Sequence, residues 1–263
     1  MKFILEKMPA EHASPVKYFL KSPQENFSLQ DIIGKKIRIE FTGNMFCISC
    51  GRQIKKTFSQ GYCYPCFAKN PENEACVLRP ELCLAHEGVA RNMEYAEKHC
   101  LSEQCVYLAS SETIKIGVTR KSQIPFRWID QGASFAKIIA MVPNRFTAGC
   151  MEVEIKKHLP DRTNWRSMLT NNVDAMPNFN KKIDLIKQIL PLHLLDYIKD
   201  DQETFEFNYP VNSYPQKVSS LDFDKEHIVD GILEGIKGQY FIFNNGRVIN
   251  IRKYSGYEVE VSF

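Results

Sequence analysis

The sequence predicts an α+β chain in which β-rich ends enclose a cysteine-rich stretch and a mixed strand–helix centre. Three observations predict it. Alternating apolar positions in "KKIRIEFTG" near the start and in "GQYFIFNNGRVINIRKYSGYEVEVSF" at the end read as strands. Two CxxC pairs follow the first of these, and a second Cys/His-rich stretch follows them. Between residues 105 and 175, strand and helix patterns alternate.

Residues 1–46 form an N-terminal β region, with strands in "VKYFL" and, after Gly34, in "KKIRIEFTG". Residues 47–69 hold the CxxC pairs, and 70–104 form the second Cys/His-rich module. "VYLASSETIKIGV" reads as a hairpin, with Ile114, Ile116 and Val118 on one face and Lys115, Gly117 and Thr119 on the other. "SQIPFRWIDQG" starts a helix, with Ser122 or Gln123 near its cap, Pro125 in the first turn and Gly132 as its stop. "FAKIIAMV" is a third strand. "TAGCMEVEIKKHL" is a second helix, opening at Thr147 and closing before Pro160. Trp165, Met168, Leu169 and Val173 recur at helical spacing.

Residues 176–204 read as a helical linker. A helix over 178–199 carries Ile183, Ile186, Ile189 and Leu190 and is broken at Pro191. Residues 205–263 form a C-terminal β-rich region, in which "NNG" between two β-branched and aromatic runs marks a hairpin. "GKKIRIEFTGNMFCI" near the start echoes "GQYFIFNNGRVINI" near the end, as two similar β units would, or one barrel built from both termini.

The chain of 263 residues is 44% hydrophobic, enough for an ordinary core, and its 25% charged content argues against a disordered chain or a fibre. No apolar run approaches the roughly 18 residues that a membrane helix needs. "MKFILEKMPAEH" is too short in apolar residues and too acidic for a secretory signal. The expected location is the cytoplasm, with no membrane partner.

The net charge of +3 is unevenly spread. Residues 35–69 hold seven Lys/Arg against Glu40, and residues 105–170 hold ten Lys/Arg against five Asp/Glu. Two basic blocks in a nearly neutral chain are the footprint of a nucleic-acid partner, DNA or RNA, or else a solvated face.

"CISCGRQIKKTFSQGYCYPC" reads Cys47-x2-Cys50, twelve residues, Cys63-x2-Cys66. Each pair sets two thiolates within reach of one ion, and a hairpin between the pairs completes a tetrahedron, the closed arrangement of a structural Zn2+ site. Gly51 and Gly61 sit where turns around the metal need a flexible backbone. Two disulfides are disfavoured in a cytoplasmic chain, and a redox CxxC would not need the second pair. The intervening loop carries Arg52, Lys55 and Lys56 for phosphates, with Phe58 and Tyr62 for bases. Arg120 and Lys121 are further phosphate candidates.

Cys76, Cys83, Cys100 and Cys105 are the preferred ligands of a second Zn2+ in a stretch with little apolar content, His86 or His99 standing in for one of them. Buried free cysteines are the competing reading. Cys150 stands alone, as a packed apolar residue would.

Tyr107 in "CVYLA", then "IKIGVT", then Arg127 in the following helix resemble the GIY-YIG nuclease module, a small three-stranded sheet with flanking helices. Glu152 and Asn164, twelve residues apart, fit the spacing between that family's metal-binding glutamate and its late asparagine. The resemblance covers about residues 105–166. "GYCYPCF", "RWIDQGA" and "TNWRSML" together resemble, over nearly the whole chain, an uncharacterised bacterial family that joins zinc-binding cysteine clusters to such a domain.

The resemblance implies phosphodiester hydrolysis. Glu152 would hold one Mg2+ or Mn2+ that keeps most of its waters. Arg127 would steady the phosphate with its planar fork, Tyr107 would act as base or orient the water, and Asn164 would hold a backbone or substrate oxygen. Two positions depart from the pattern: Lys115 replaces the "YIG" tyrosine, and Cys105 replaces the glycine of "GIY". Two functions stay open, a metal-dependent endonuclease and a non-catalytic binder of structured RNA or DNA on the same scaffold. Read one at a time, Tyr107 can fill a sheet face, Arg127 and Asp130 can pair on a helix surface, Glu152 and Glu154 can be solvated helix residues with Glu154 equally able to be the functional one, and Trp128 and Trp165 can belong to the core.

Overall fold

The computed structural model describes residues 1–23, 25–172, 176–199 and 201–263. Its strands are β1 (Lys2–Ile4), β2 (Ala10–Glu11), β3 (Lys17–Leu20), β4 (Phe27–Ser28), β5 (Lys36–Phe46), β6 (Gln53–Ile54), β7 (Gln104–Ser110), β8 (Ile114–Arg120), β9 (Phe135–Val142), β10 (Thr204–Glu206), β11 (Ser219–Ser220), β12 (Ile228–Lys237), β13 (Tyr240–Phe243), β14 (Arg247–Asn250) and β15 (Tyr257–Ser262). Its α-helices are α1 (Tyr64–Lys69), α2 (Ala75–Leu78), α3 (Met93–His99), α4 (Phe126–Asp130), α5 (Arg145–Ile155), α6 (Trp165–Leu169), α7 (Phe179–Ile189) and α8 (Leu192–Leu195).

The two ends of the chain share one sheet. Its order is β1-β15-β5-β12-β13-β14-β11, with β6 paired to β5. In β5 the alternation of "KIRIEF" buries Ile37, Ile39 and Phe41 and leaves Lys36, Arg38 and Glu40 outward, so one face must be covered. The C-terminal strands cover and extend it: Ile39 pairs with Val229 of β12 on one side and with Val261 of β15 on the other. The regions 1–46 and 205–263 therefore meet in one β unit. β13 and β14 form the hairpin around "NNG", with Gly246 at φ +73°.

A second sheet, ordered β10-β9-β7-β8 and antiparallel throughout, stands at the centre. The sequence reading gave it three strands, and β10 adds a fourth at the β9 edge. Strand β7 is buried along its whole length because both faces are covered. Val106 and Leu108 join Met151 and Ile155 of α5 and Ile183 and Ile186 of α7 in one core. Cys105, Tyr107 and Ala109 point the other way, into a core shared with the large sheet.

The segment 176–204, expected as a linker, is thus a layer of this unit. The apolar stripe of α7 packs on the sheet, and Pro191 separates α7 from α8 as expected. Helix α5 begins two residues before the expected Thr147, because the side chain of Asn144 accepts the Thr147 amide at 2.9 Å and caps it there. Gly132, at φ +66°, follows the end of α4. Val173 lies outside the described residues.

The Cys-rich module between the sheets docks on α5. A Cβ on Gly149 would lie 2.2 Å from the Glu81 amide nitrogen, so the backbones of the module and the helix touch at that point. Trp128 is fully buried against Tyr107 and Phe205, with ring centroids at 5.7 and 5.0 Å, as a core residue. Among the described residues no helix is long and apolar enough to cross a membrane.

Candidate metal centres and candidate active site

Cys47, Cys50, Cys63 and Cys66 converge, their sulfurs all within 4.8 Å of one another. The chain makes this cage locally. The hairpin of β5 and β6 ends in a tight turn closed by the Gly51 amide donating to the Cys47 carbonyl at 2.8 Å, and the first turn of α1 delivers Cys66. Gly51 and Gly61 both have positive φ, +69° and +115°. Burial works to raise the Cys47 thiol, yet the amides of Cys63, Cys50 and Ser49 bring it down to about 6. The Cys63 amide donates to the Cys47 sulfur at 3.2 Å. Four thiols, one of them already poised as thiolate, fit a tetrahedral soft cation such as Zn2+.

Cys76, Cys83 and Cys100 form a second group within the same distance limit, in the small core around Ala85 and Ala96. The Cys100 thiol and the Arg145 guanidinium hold Cys76 down to about 6 against its own burial. These three thiols can hold Zn2+.

Cys105, expected as the fourth ligand, is not among them. Strand alternation turns it with Tyr107 into the large shared core, and burial raises its thiol to about 11. Neither histidine replaces it. His86 stacks on Phe146 with centroids 4.3 Å apart, and His99 meets Arg120 through Nδ1 and packs on Tyr95 at 4.0 Å. Among the described residues no fourth His, Cys, Asp or Glu joins the group. Cys150 is half-buried on α5.

The candidate catalytic residues come together around one edge of the central sheet, with one exception. Tyr107 and Gly117 are cross-strand partners in β7 and β8, and Ala109 and Lys115 are the next pair on that face. The absence of a side chain at Gly117 is what admits the phenol: a Cβ there would lie 2.6 Å from the Tyr107 ring and hydroxyl. That hydroxyl donates to Gln131 Oε1 at 3.1 Å. Burial raises the phenol above its usual range, and Arg127 of α4 opposes this by its charge.

Lys115 is buried and donates to Thr163 Oγ1. Its burial, aided by Arg127, lowers the ammonium to about 8, while Glu112 and Asp161 pull it back up. Burial raises the Glu152 carboxyl to about 7, Asp161 and Glu81 reinforcing this and Lys156 and Arg127 opposing it. Tyr107, Lys115, Arg127 and Glu152 thus share one electrostatic neighbourhood.

Asn164 is the exception. Its side-chain oxygen accepts the amides of Arg166 and Ser167, at 3.1 and 3.5 Å, and caps α6. Its own amide donates to Glu112. The loop it anchors carries Asp161 and Thr163, the residues that act on Glu152 and Lys115 and that carried no sequence signal. Gln131 was legible only as part of the α4 stop.

The basic candidates separate. Arg52, Lys55 and Lys56 are exposed on the ribbon, with Lys56 5.5 Å over the Phe58 ring. Tyr62, expected as a base-stacking platform, is instead buried with its hydroxyl donating to Glu72 at 2.6 Å. Lys121 pairs with Glu103 at 2.7 Å at the surface, whereas Arg120 is half-buried beside His99.

A comparison with curated proteins and one with solved structures each yield no match. A family model described as "Protein of unknown function (DUF2797)" matches residues 34–259, from the start of β5 to β15, and so spans the ribbon, the second cysteine cluster and the central sheet together. The chain belongs to the DUF2797 family.

Proposed function

We propose that this protein binds nucleic acid on its basic surfaces and hydrolyses phosphodiesters at the edge of its central sheet, with the cysteine clusters holding structural Zn2+. The observation that carries the reading is that Glu152, at about 7, and Lys115, at about 8, both lie in the field of Arg127 and Asp161, with Tyr107 facing the same arginine. Two groups of opposite charge type moved toward neutrality from opposite sides are what acid–base work at a phosphate requires. Supporting it is the resemblance of "CVYLA", "IKIGVT" and Arg127 to the GIY-YIG module; the stretches that carry the resemblance form β7, β8 and α4.

Each residue then has a task. Arg127 offers a planar fork to a phosphate and offsets charge that develops there. Lys115, charged below about 8, adds a second cation. Glu152 is part-ionised near neutrality and takes a proton from the attacking water or holds a cation. Tyr107 keeps its proton, which Gln131 accepts, and faces Arg127 with its hydroxyl, so it positions that guanidinium and leaves the base's role to Glu152. Asn164 serves from the α6 cap by fixing the loop of Asp161 and Thr163.

The donors at Glu152 suit a hard cation that retains water: it is one carboxylate, with Asp161 in its field, and no trio of ligating side chains surrounds it among the described residues. When bound, Mg2+ or Mn2+ would supply Lewis-acid polarisation of a phosphoryl oxygen.

The second reading, binding without cleavage, is favoured by one observation: Lys115 stands at the phenol's place in the motif and is already engaged by Thr163. The deciding experiment incubates the protein with plasmid, single-stranded DNA and structured RNA, each with Mg2+ or Mn2+, beside Glu152→Gln. Cleavage lost in the variant supports hydrolysis; binding of all substrates without cleavage supports the second reading; no binding at low salt defeats both.

A further inference from the structure

Four arginines far apart in sequence line one cavity of about 210 Å3 beside the proposed centre. Arg120 ends β8, Arg127 lies in α4, Arg145 opens α5, and Arg252 sits in the turn between β14 and β15. All four are half-buried. Lys7 and Asp130 also line the cavity but satisfy one another at 2.6 Å, with Gln239 donating to the other Asp130 oxygen at 3.2 Å.

Three of the guanidiniums have neutral partners. Arg120 meets His99 Nδ1, Arg252 donates to Gln60 Oε1 at 2.9 Å, and Arg127 faces the Tyr107 hydroxyl. Arg145 donates to the His99 carbonyl at 3.4 Å and approaches the Cys76 sulfur at 3.8 Å. Glu152 acts on Arg127, and Asp130 on Arg252, from beyond ion-pair range, and among the described residues none of the four arginines has an ion pair. Even a thiolate at Cys76 leaves the wall strongly positive.

Four half-buried cations that outnumber the charge facing them, with Asp130 taken up by Lys7 and only the Cys76 sulfur near Arg145, repel one another and are poorly solvated, so the assembly is incomplete without an anion. Arginine forks match phosphate oxygens bidentately. We infer that this cavity is a pocket for a phosphate monoester, which it holds with Arg120, Arg145 and Arg252 while Arg127 reaches from it to the sheet edge. A monoester at neutral pH carries about −1.5 to −2, against one charge for a backbone diester, and answers a cluster this positive better. The phosphoryl group has two sources, the terminal phosphate of a strand or a small phosphorylated molecule. The choice of a strand end as the first rests on the nucleic-acid reading above; the pocket itself does not.

The test measures binding, without divalent metal, of one labelled oligonucleotide carrying a 5′-phosphate, a 3′-phosphate or hydroxyl ends. Inorganic phosphate and pyrophosphate serve as competitors and as ligands in thermal melts. The phosphate-ended strand should bind about tenfold tighter or more, the equivalent of one charge-assisted hydrogen-bonded contact. Arg252→Gln should erase that preference while leaving the hydroxyl-ended strand unchanged. Arg120→Gln, read by the ratio of phosphate-ended to hydroxyl-ended binding alone, serves if Arg252→Gln does not fold, judged by circular dichroism and zinc content.

Equal binding of phosphate and hydroxyl ends, with no competition or stabilisation by phosphate or pyrophosphate, overturns the pocket and leaves nucleic-acid binding standing. Binding of no strand, with stabilisation by pyrophosphate that Arg252→Gln removes, keeps the pocket for small phosphates and overturns the nucleic-acid reading. A preference that survives both variants overturns the residue assignment.

Discussion

Gly117 lies directly across the β7–β8 ladder from Tyr107, and the phenol occupies the space a Gly117 side chain would need, at 2.6 Å from its Cβ position. The glycine thereby fixes where the hydroxyl sits relative to Arg127 and Gln131. Gly117→Ala should force the ring aside in a packed core and cost about 1–3 kcal/mol. A lower urea midpoint with an unchanged slope is the expected readout, together with loss of the cleavage that Glu152→Gln also abolishes. Retained stability would mean the ring has room to move.

Lys115 gives the protein a pH-dependent stability of defined sign. Its ammonium falls from 10.5 to about 8 in the folded chain. Between those values the unfolded chain holds the proton and the folded chain has released it, so stability rises with pH across this window and is flat outside it. Lys237, buried beneath Tyr209 and Tyr214 and likewise lowered to about 8, contributes in the same range. Lys115→Met should remove its part of the rise, on the order of 3 kcal/mol, and stabilise the protein below pH 8. Denaturant unfolding at several pH values, variant beside wild type, isolates the lysine. If Lys115 contacts phosphate, strand affinity should also fall as pH passes 8, and Lys115→Met should flatten that fall.

The cysteines make a stoichiometric prediction. Purified protein should carry two zinc ions, one at each cluster. Cys50→Ser and Cys100→Ser should each lower the count by one, whereas Cys105→Ser should leave it at two, since Cys105 faces the shared core. Removing zinc with a chelator should unfold the ribbon first, because it has few buried apolar residues apart from its own cysteines. Metal analysis of the variants checks this directly, and loss of zinc in Cys105→Ser would restore that residue as a ligand.

Asn164 separates positioning from chemistry. Asn164→Ala should cost about 1 kcal/mol through the lost cap. It should also lower activity by loosening the loop of Asp161 and Thr163. Asn164→Ser keeps an oxygen for the Arg166 amide and should recover both. A group in contact with substrate would not be rescued by a hydroxyl, so failure of serine to restore kcat at unchanged stability would return Asn164 to the site.

What could be read from the chain was what short stretches settle among themselves. Strand β9 matches "FAKIIAMV" end to end because a buried apolar run between turns has few alternatives. The first cysteine cage was legible because its ligands lie within twenty residues and its geometry follows from two turns. Strand alternation already set Lys115 and Gly117 on one face. The errors lie where distant chain segments decide. Cys105 looked like a ligand by proximity in sequence, but the face it takes in β7 is fixed by the strand, and what covers that face is the sheet built from both termini. The segment 176–204 has a helix that pattern alone reveals, but its burial depends on the central sheet beneath it.

By itself the sequence determined the α+β composition, the four-thiol cage and the order of Tyr107, Lys115, Arg127 and Glu152, since each rests on residue type and local spacing. Only the tertiary structure decided that β5 is flanked by C-terminal strands, that the second cluster keeps three cysteines, and that Arg120, Arg127, Arg145 and Arg252 surround one cavity. Long-range burial and electrostatics are properties of surfaces brought together by folding, and no spacing along the chain encodes which surfaces meet.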